Sequence, residues 1–180
     1  MTTWSLNPEN GELHILSGVT GRAAKMGHRL TMAMQSWQAS VQWDDETPTH
    51  AELTVEADSL QVLSGEGGVT PLGGAEKGVA RSNALKSLDA KKFPRIFFVS
   101  DDIAATDSGY RMTGTVEIHG TTRPQTVDIT VEDTGDGWDL ASRVQVAQTD
   151  FGVKQVSLLM GAMKVADEVT IDFHAHYPKK

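Results

Sequence analysis

Met26-Gly27-His28-Arg29-Leu30-Thr31-Met32-Ala33-Met34 alternates with a period of two. Met26, His28, Leu30, Met32 and Met34 fall on one face, and Arg29, Thr31 and Ala33 on the other. In an extended chain successive side chains point to opposite sides, whereas a helix brings a residue back to the same face only every three or four positions. Unbroken alternation therefore predicts a strand with one apolar side, spanning Lys25–Met34.

The same rhythm continues in both directions. Upstream, Leu13-His-Ile-Leu16 follows the turn signal Asn10-Gly11. Downstream, Trp37, Ala39, Val41 and Trp43 alternate until Asp44-Asp-Glu-Thr-Pro48, and Leu53, Val55 and Ala57 oppose Glu52, Thr54 and Glu56. Ile96 and Phe98 follow Pro94. Tyr110, Met112, Gly114, Val116 and Ile118 alternate with Arg111, Thr113, Thr115, Glu117 and His119. Val127, Ile129 and Val131 lead into Thr134-Gly-Asp-Gly137, a hairpin turn. Trp138 and Leu140 open the next strand, and Val169, Ile171, Phe173, Ala175 and Tyr177 form the last. Two stretches break the pattern. Ser64–Gly74 reads as a long glycine-rich loop, and Ala80, Ala84, Leu85 and Leu88 stand at helical spacing within Glu76–Leu88, a short helix that ends before Pro94. The apolar run Val156–Met163 fits a loop or a helical turn. About eight antiparallel strands in one domain over residues 1–180 leave a sandwich or a closed barrel.

Composition removes several function classes. The 180 residues hold 16 Lys+Arg against 24 Asp+Glu, a net charge of -8. That balance disfavours nucleic acid or an anionic membrane surface as partners, since both need a basic face. The chain has no Cys, which excludes disulfides, thiol catalysis and iron–sulfur ligation. No stretch approaches the roughly 18 apolar residues that span a bilayer, so stable membrane insertion is not expected. The start, Met1-Thr-Thr-Trp-Ser-Leu, has no basic or apolar leader pattern, and the expectation is a cytoplasmic protein.

Several blocks, in order, carry a family likeness: Gly27-His28-Arg29-Leu30; Leu88-Asp-Ala-Lys-Lys-Phe93-Pro94-Arg-Ile96-Phe-Phe98; Gly114-Thr-Val-Glu-Ile118-His119-Gly120-Thr-Thr-Arg123-Pro124; Asp150-Phe151-Gly152; and Val165-Ala-Asp167-Glu-Val169. The chain resembles the YceI-like family, the polyisoprenoid-binding proteins of lipocalin-like fold, and is similar to its short cytoplasmic members of actinobacterial type. The Ile-His-Gly-x-x-Arg-Pro block is the most specific. The resemblance implies a single antiparallel β-barrel with an apolar interior, one short helix and a glycine-rich loop near one end. It also implies a long isoprenoid or quinone-like lipid inside.

Resemblance and alternation agree on the inner wall: Met26, His28, Leu30, Met32, Met34, Ile96, Phe98, Met112, Val116 and Ile118. A methionine-bearing wall adapts to a flexible alkenyl chain, because the unbranched thioether repacks easily. The same residues would equally fill an ordinary core. His28, on the methionine face, is either a headgroup contact or a ring satisfied by a backbone carbonyl. His174 and His176 share the outward face of the last strand with Asp172, and His14 and His119 read as surface. The glycine-rich loop with its helix reads as a lid or as a plain crossover. No Gly-x-Ser-x-Gly elbow, His-Glu-x-x-His, Walker loop or dinucleotide fingerprint is present, and Asp150-Phe-Gly152 lacks every other kinase element. The expected function is a non-catalytic carrier of an isoprenoid, an isoprenoid quinone or a similar amphiphile, with no cofactor, no metal and no nucleic acid. A homodimer is compatible with it. Two rivals stay open: an enzyme acting on such a lipid with His28 as general base, and a structural or interaction domain with a filled core.

Overall fold

In a computed structural model, which describes residues 1–180, the alternating segments are strands. β1 (Thr2–Leu6), β2 (Gly11–Leu16) and the short β3 (Val19–Thr20) lead to β4 (His28–Met34), β5 (Trp37–Asp44), β6 (Thr47–Glu56) and β7 (Leu60–Gly67). The α-helix α1 (Gly74–Leu88) precedes β8 (Arg95–Ala105), β9 (Gly109–Ile118), β10 (Thr121–Asp133) and β11 (Gly137–Ala147). The short β12 (Ser157–Leu158) and β13 (Met163–Val165) and the long β14 (Glu168–Pro178) follow. No helix is long and apolar enough to cross a membrane.

Eleven strands form one curled antiparallel sheet in the order β1-β5-β6-β8-β9-β10-β11-β14-β2-β4-β7, and β12, β13 and β3 form a small separate sheet. The large sheet curls because its strands bend and continue. β4 runs on into β5 across Gln35-Ser36, and β6 into β7 across the 3-10 turn Ala57–Ser59, so that β5–β6 and β4–β7 are two halves of one bent ribbon. β14 pairs with β2, β2 with β4, β5 with β6, and β6 with β8, and the pairing leads right round the molecule. The inner face carries the core. Leu6, Leu13, Met32, Met34, Trp37, Val55, Leu60 and Leu140 form one buried cluster, and Phe98, Val116, Phe151 and Val153 a second.

Several expectations need correction. The sequence predicts about eight strands, whereas the large sheet has eleven. Three long strands are each interrupted, at Asn7–Asn10, Gln35-Ser36 and Ala57–Ser59, and count twice. The glycine-rich loop is shorter than Ser64–Gly74, because Gly65, Glu66 and Gly67 pair with Leu30, Arg29 and His28 of β4 and belong to β7. Cross-strand hydrogen bonds override the weak strand propensity of glycine there. α1 begins at Gly74 rather than Glu76. Met26 lies in a 3-10 turn, Ala24–Met26, not in the strand, which starts at His28.

The outer face is polar, and His50 meets Asp101 across β6 and β8 on it. Register between β8 and β9 shifts between Val99 and Asp102. Ser100 continues the inward face of Ile96 and Phe98, and at the bulge its hydroxyl donates to the Thr113 carbonyl at 2.8 Å. Gly114 allows the close approach, since a Cβ there would sit 2.0 Å from the Val99 oxygen. Asp101 is left facing out, beside His50 of β6. The His50 ring donates from Nδ1 to Asp101 at 2.5 Å and from Nε2 to Glu52 at 2.9 Å. Both donors exist together only in the imidazolium, so Asp101 first and Glu52 second hold His50 above the usual imidazole pKa.

That shift has a definite sign. A group whose folded pKa is raised stabilises fully below its unfolded value, about 6.5 for His, and loses that contribution as pH rises through the folded value. His50→Asn is therefore expected to lower stability to urea unfolding at about pH 6 and to do so much less at about pH 9. An equal penalty at both pH values contradicts the assignment.

Candidate ligand-binding site

The inner wall of the curled sheet encloses a cavity of about 550 Å³, and 42 of the 55 residues around it are hydrophobic. That volume lies inside the range of roughly 300–1,000 Å³ occupied by small-molecule pockets. It stays open because the circuit of paired strands fixes the perimeter, and the wall residues are mostly Val, Ile, Leu, Met and Ala, too short to meet at the centre.

The two ends differ. At the end formed by the turns after β5, β8 and β11's start, aromatic rings close the tube. Trp4 stacks on Tyr177 with centroids 4.2 Å apart and contacts Trp43 at 4.8 Å, and Trp43 meets Tyr110 edge-on at 5.9 Å. Trp4, Trp43 and Tyr110 line the cavity. At the opposite end, α1 packs along β7, whose second edge carries no strand. Glu76, Ala80, Asn83, Ala84, Ser87 and Leu88 share the helix face turned to the cavity, at steps of three and four. Arg81, on another face, clamps the helix by donating to the carbonyls of Leu60 and Asp58, each at 2.7 Å. This mouth also collects polar groups: His28, Glu76, Asn83, Gln148 and Lys164.

All ten residues placed on the inner wall by the sequence lie around this cavity. Met32, Met34, Phe98 and Val116 are buried, whereas Met26 is half-exposed at the mouth. His28 is half-buried there, and its Nε2–H donates to the Thr70 carbonyl at 2.7 Å. The loop folds down onto the ring: Gly68 has φ +73°, and a Cβ on it would come within 2.7 Å of Nε2. Leu72 follows it down against Gly65 and lines the cavity. His28 is thus a strut that holds the loop over the mouth.

His119 is not the surface residue that alternation suggests. It leaves the strand in a left-handed turn with φ +55°, packs on Phe93 with centroids 4.8 Å apart, and lies 3.2 Å from the Phe151 carbonyl. Arg123 donates to the neighbouring Asp150 carbonyl at 2.9 Å. Asp167 accepts from the Thr149 N–H and hydroxyl. These contacts fix the 3-10 turn Gln148–Phe151, which presses Phe151 and Val153 into the second core cluster beneath the cavity. His174 and His176 stand on the outer face, tied to carboxylates: His174 to Asp172 at 3.2 Å and His176 to Asp139 at 2.6 Å. The inner wall expected from sequence lacks β1 with Trp4 and the segment 153–165, where Val156–Met163 fits a loop or helical turn; that segment supplies Val153, Val156, Leu158, Met163 and Val165 to the lining. The alternation Thr2-Trp4-Leu6 was a usable signal for the first; no periodic signal exists for the second, whose strands are two and three residues long.

The blocks that meet at this end, from Phe93 to Asp167, also carry the family signature. The sequence profile of the YceI-like domain matches residues 4–177. The chain belongs to the YceI-like family. Solved structures agree on the fold. BcnA of Burkholderia cenocepacia is 22% identical, with a TM-score of 0.70 over 93% of this chain and 96% of that one. The YCEI protein of Campylobacter jejuni is 14% identical, with a TM-score of 0.60 over 83% and 84%. No curated protein matches the chain.

His28→Ala removes the strut and leaves the apolar side chains of the wall in place. Amide exchange of residues 68–73 should then quicken by roughly two- to tenfold, the worth of one hydrogen bond, while β4 stays protected. Unchanged exchange in the loop contradicts the role given to His28.

Proposed function

We propose that this YceI-like chain is a non-catalytic binding protein that holds an isoprenoid, an isoprenoid quinone or a similar apolar amphiphile in its cavity. The observation that carries this reading is one continuous apolar cavity, capped by aromatic rings at one end and edged with polar groups at the other. An amphiphile matches that gradient, with its tail along the wall and its headgroup among His28, Glu76, Asn83, Gln148 and Lys164. Each buried methylene contributes about 0.8 kcal/mol, so a prenyl tail binds tightly after its ordering cost without any specific polar contact. Met26, Met32, Met34, Met112 and Met163 give a wall that reshapes around a chain with kinks. The ligand-binding residues of the proposal are the ten inner-wall residues, with Trp4, Trp43, Tyr110 and Met163 added. The bond from His28 Nε2–H to Thr70 leaves Nδ1 as the acceptor nitrogen, so turnover is the readout that separates the general-base alternative from a carrier.

An isoprenoid quinone such as menaquinone tests the proposal, since Trp4 and Trp43 report on the cavity by fluorescence quenching. Titration should quench the wild type saturably. Val116→Phe, which pushes a ring into the cavity, should weaken binding by roughly tenfold or more, the equivalent of two displaced methylenes. The quinone should be recovered chemically unchanged. Absence of saturable quenching, equal affinity of Val116→Phe, or turnover by wild type that His28→Ala abolishes would each defeat the proposal.

A further inference from the structure

The mouth has a charge opposite to that of the whole chain. Residues 17–29 and 152–166 build β3, β12, β13 and two 3-10 turns on the side of the mouth away from α1. Together they carry Arg22, Lys25, Arg29, Lys154 and Lys164 and no Asp or Glu, in a chain of net charge -8. Arg29 has an acidic neighbour, Glu66 at 3.7 Å, whereas the exposed Arg22, Lys25, Lys154 and Lys164 form no ion pair. Acids flank the two segments: Asp150 precedes the second, Asp167, engaged by Thr149, and Glu168 follow it, and Glu66 and Glu76 lie on β7 and α1.

Between Lys154 and Lys164 in the chain stands an exposed apolar tip. Leu158, Leu159 and Met160 are 46%, 51% and 105% exposed. Leu159, Met160 and Gly161 have φ values of +52°, +57° and +88°, three successive left-handed residues. For residues with a side chain that conformation costs about 1–2 kcal/mol each, so the chain holds these side chains outward against a backbone preference. The base of the tip is fixed: Ala23 donates to the Ala162 carbonyl at 2.9 Å, and Lys164 pairs with Thr20. The tip is continuous with the cavity, because Leu158, Met26 and Lys164 also line it.

We propose that this rim docks on an anionic lipid bilayer. Leu158, Leu159 and Met160 enter the interface, and Arg22, Lys25, Lys154 and Lys164 meet acidic headgroups. Apolar side chains ringed by cations are the pattern of an interfacial anchor, and each basic residue adds to attraction by an anionic leaflet. Docking there brings the open end of the cavity to the membrane, where a water-insoluble guest transfers without crossing water. The docking goes beyond the ligand reading and stands on exposure and charge whatever fills the cavity.

Co-sedimentation with vesicles tests it. At low salt the wild type should pellet with vesicles of equal parts phosphatidylcholine and phosphatidylglycerol, and stay in solution with phosphatidylcholine alone. Added salt should release it. Lys154→Gln combined with Lys164→Gln should weaken partitioning by roughly thirtyfold. Met160→Asp should also weaken it, and Met160 is fully exposed, so this variant keeps its fold. Val116→Phe should partition like wild type, which separates a failure of docking from a failure of the cavity reading. Wild type that ignores anionic vesicles, that binds both vesicle types alike, or whose binding survives either rim variant overturns the proposal.

Discussion

Most strands of the large sheet are paired along both edges, and the bent ribbon β4–β5 with β6–β7 is what carries the pairing from β2 round to β8. An open sheet of this length would leave unpaired edges, a liability for aggregation. By bending at Gln35-Ser36 and Ala57–Ser59, one ribbon faces β2 on one side and β8 on the other. The strand circuit then sets a circumference that does not depend on side-chain size. Residues of the inner face can coat the wall but not fill the middle, and the cavity is a consequence of backbone geometry before it is a feature of any binding residue. Where closure fails, other elements take over. α1 covers the free edge of β7, and the Trp4–Trp43–Tyr177 cluster seals the end where β1 stops.

Several residues of the blocks that carry the family resemblance serve to anchor backbone. Phe93, His119, Arg123 and Asp167 converge on the 3-10 turn Gln148–Phe151, and every polar contact among them goes to backbone or to Thr149. Gly120 belongs to the same knot, since a Cβ there would lie 2.5 Å from the Phe93 ring. The knot positions Phe151 under the cavity. His28 does a comparable job at the mouth through Thr70. Residue identity at these positions is set by the need to anchor irregular backbone at the end of a tube, where no ladder of hydrogen bonds is available.

Much of the wall was legible in the sequence because period-two alternation maps directly onto inside and outside of a curled sheet. Met112, Val116 and Ile118 of β9 follow it without exception. The pattern failed where local backbone left the ladder. Met26 continues the alternation in sequence but sits in a 3-10 turn, and His119 continues it into a left-handed turn. Gly65 and Gly67 read as loop, yet pairing with β4 made them strand. The His50–Asp101 contact follows from the register of β6 with β8, which sets Ala51 opposite Ser100 and which alternation within one strand does not reveal. The cationic rim escaped because its residues come from two segments far apart in the chain, which only tertiary pairing, β13 with β3 and Ala23 with Ala162, unites.

The account rests on a tube too wide for its own side chains, with space for a guest. Native mass spectrometry of the protein purified from its own host tests that most directly. One co-purifying apolar amphiphile per chain, lost on gentle activation in the gas phase, is the predicted result. A bare mass that takes up no isoprenoid quinone when offered in excess would contradict it.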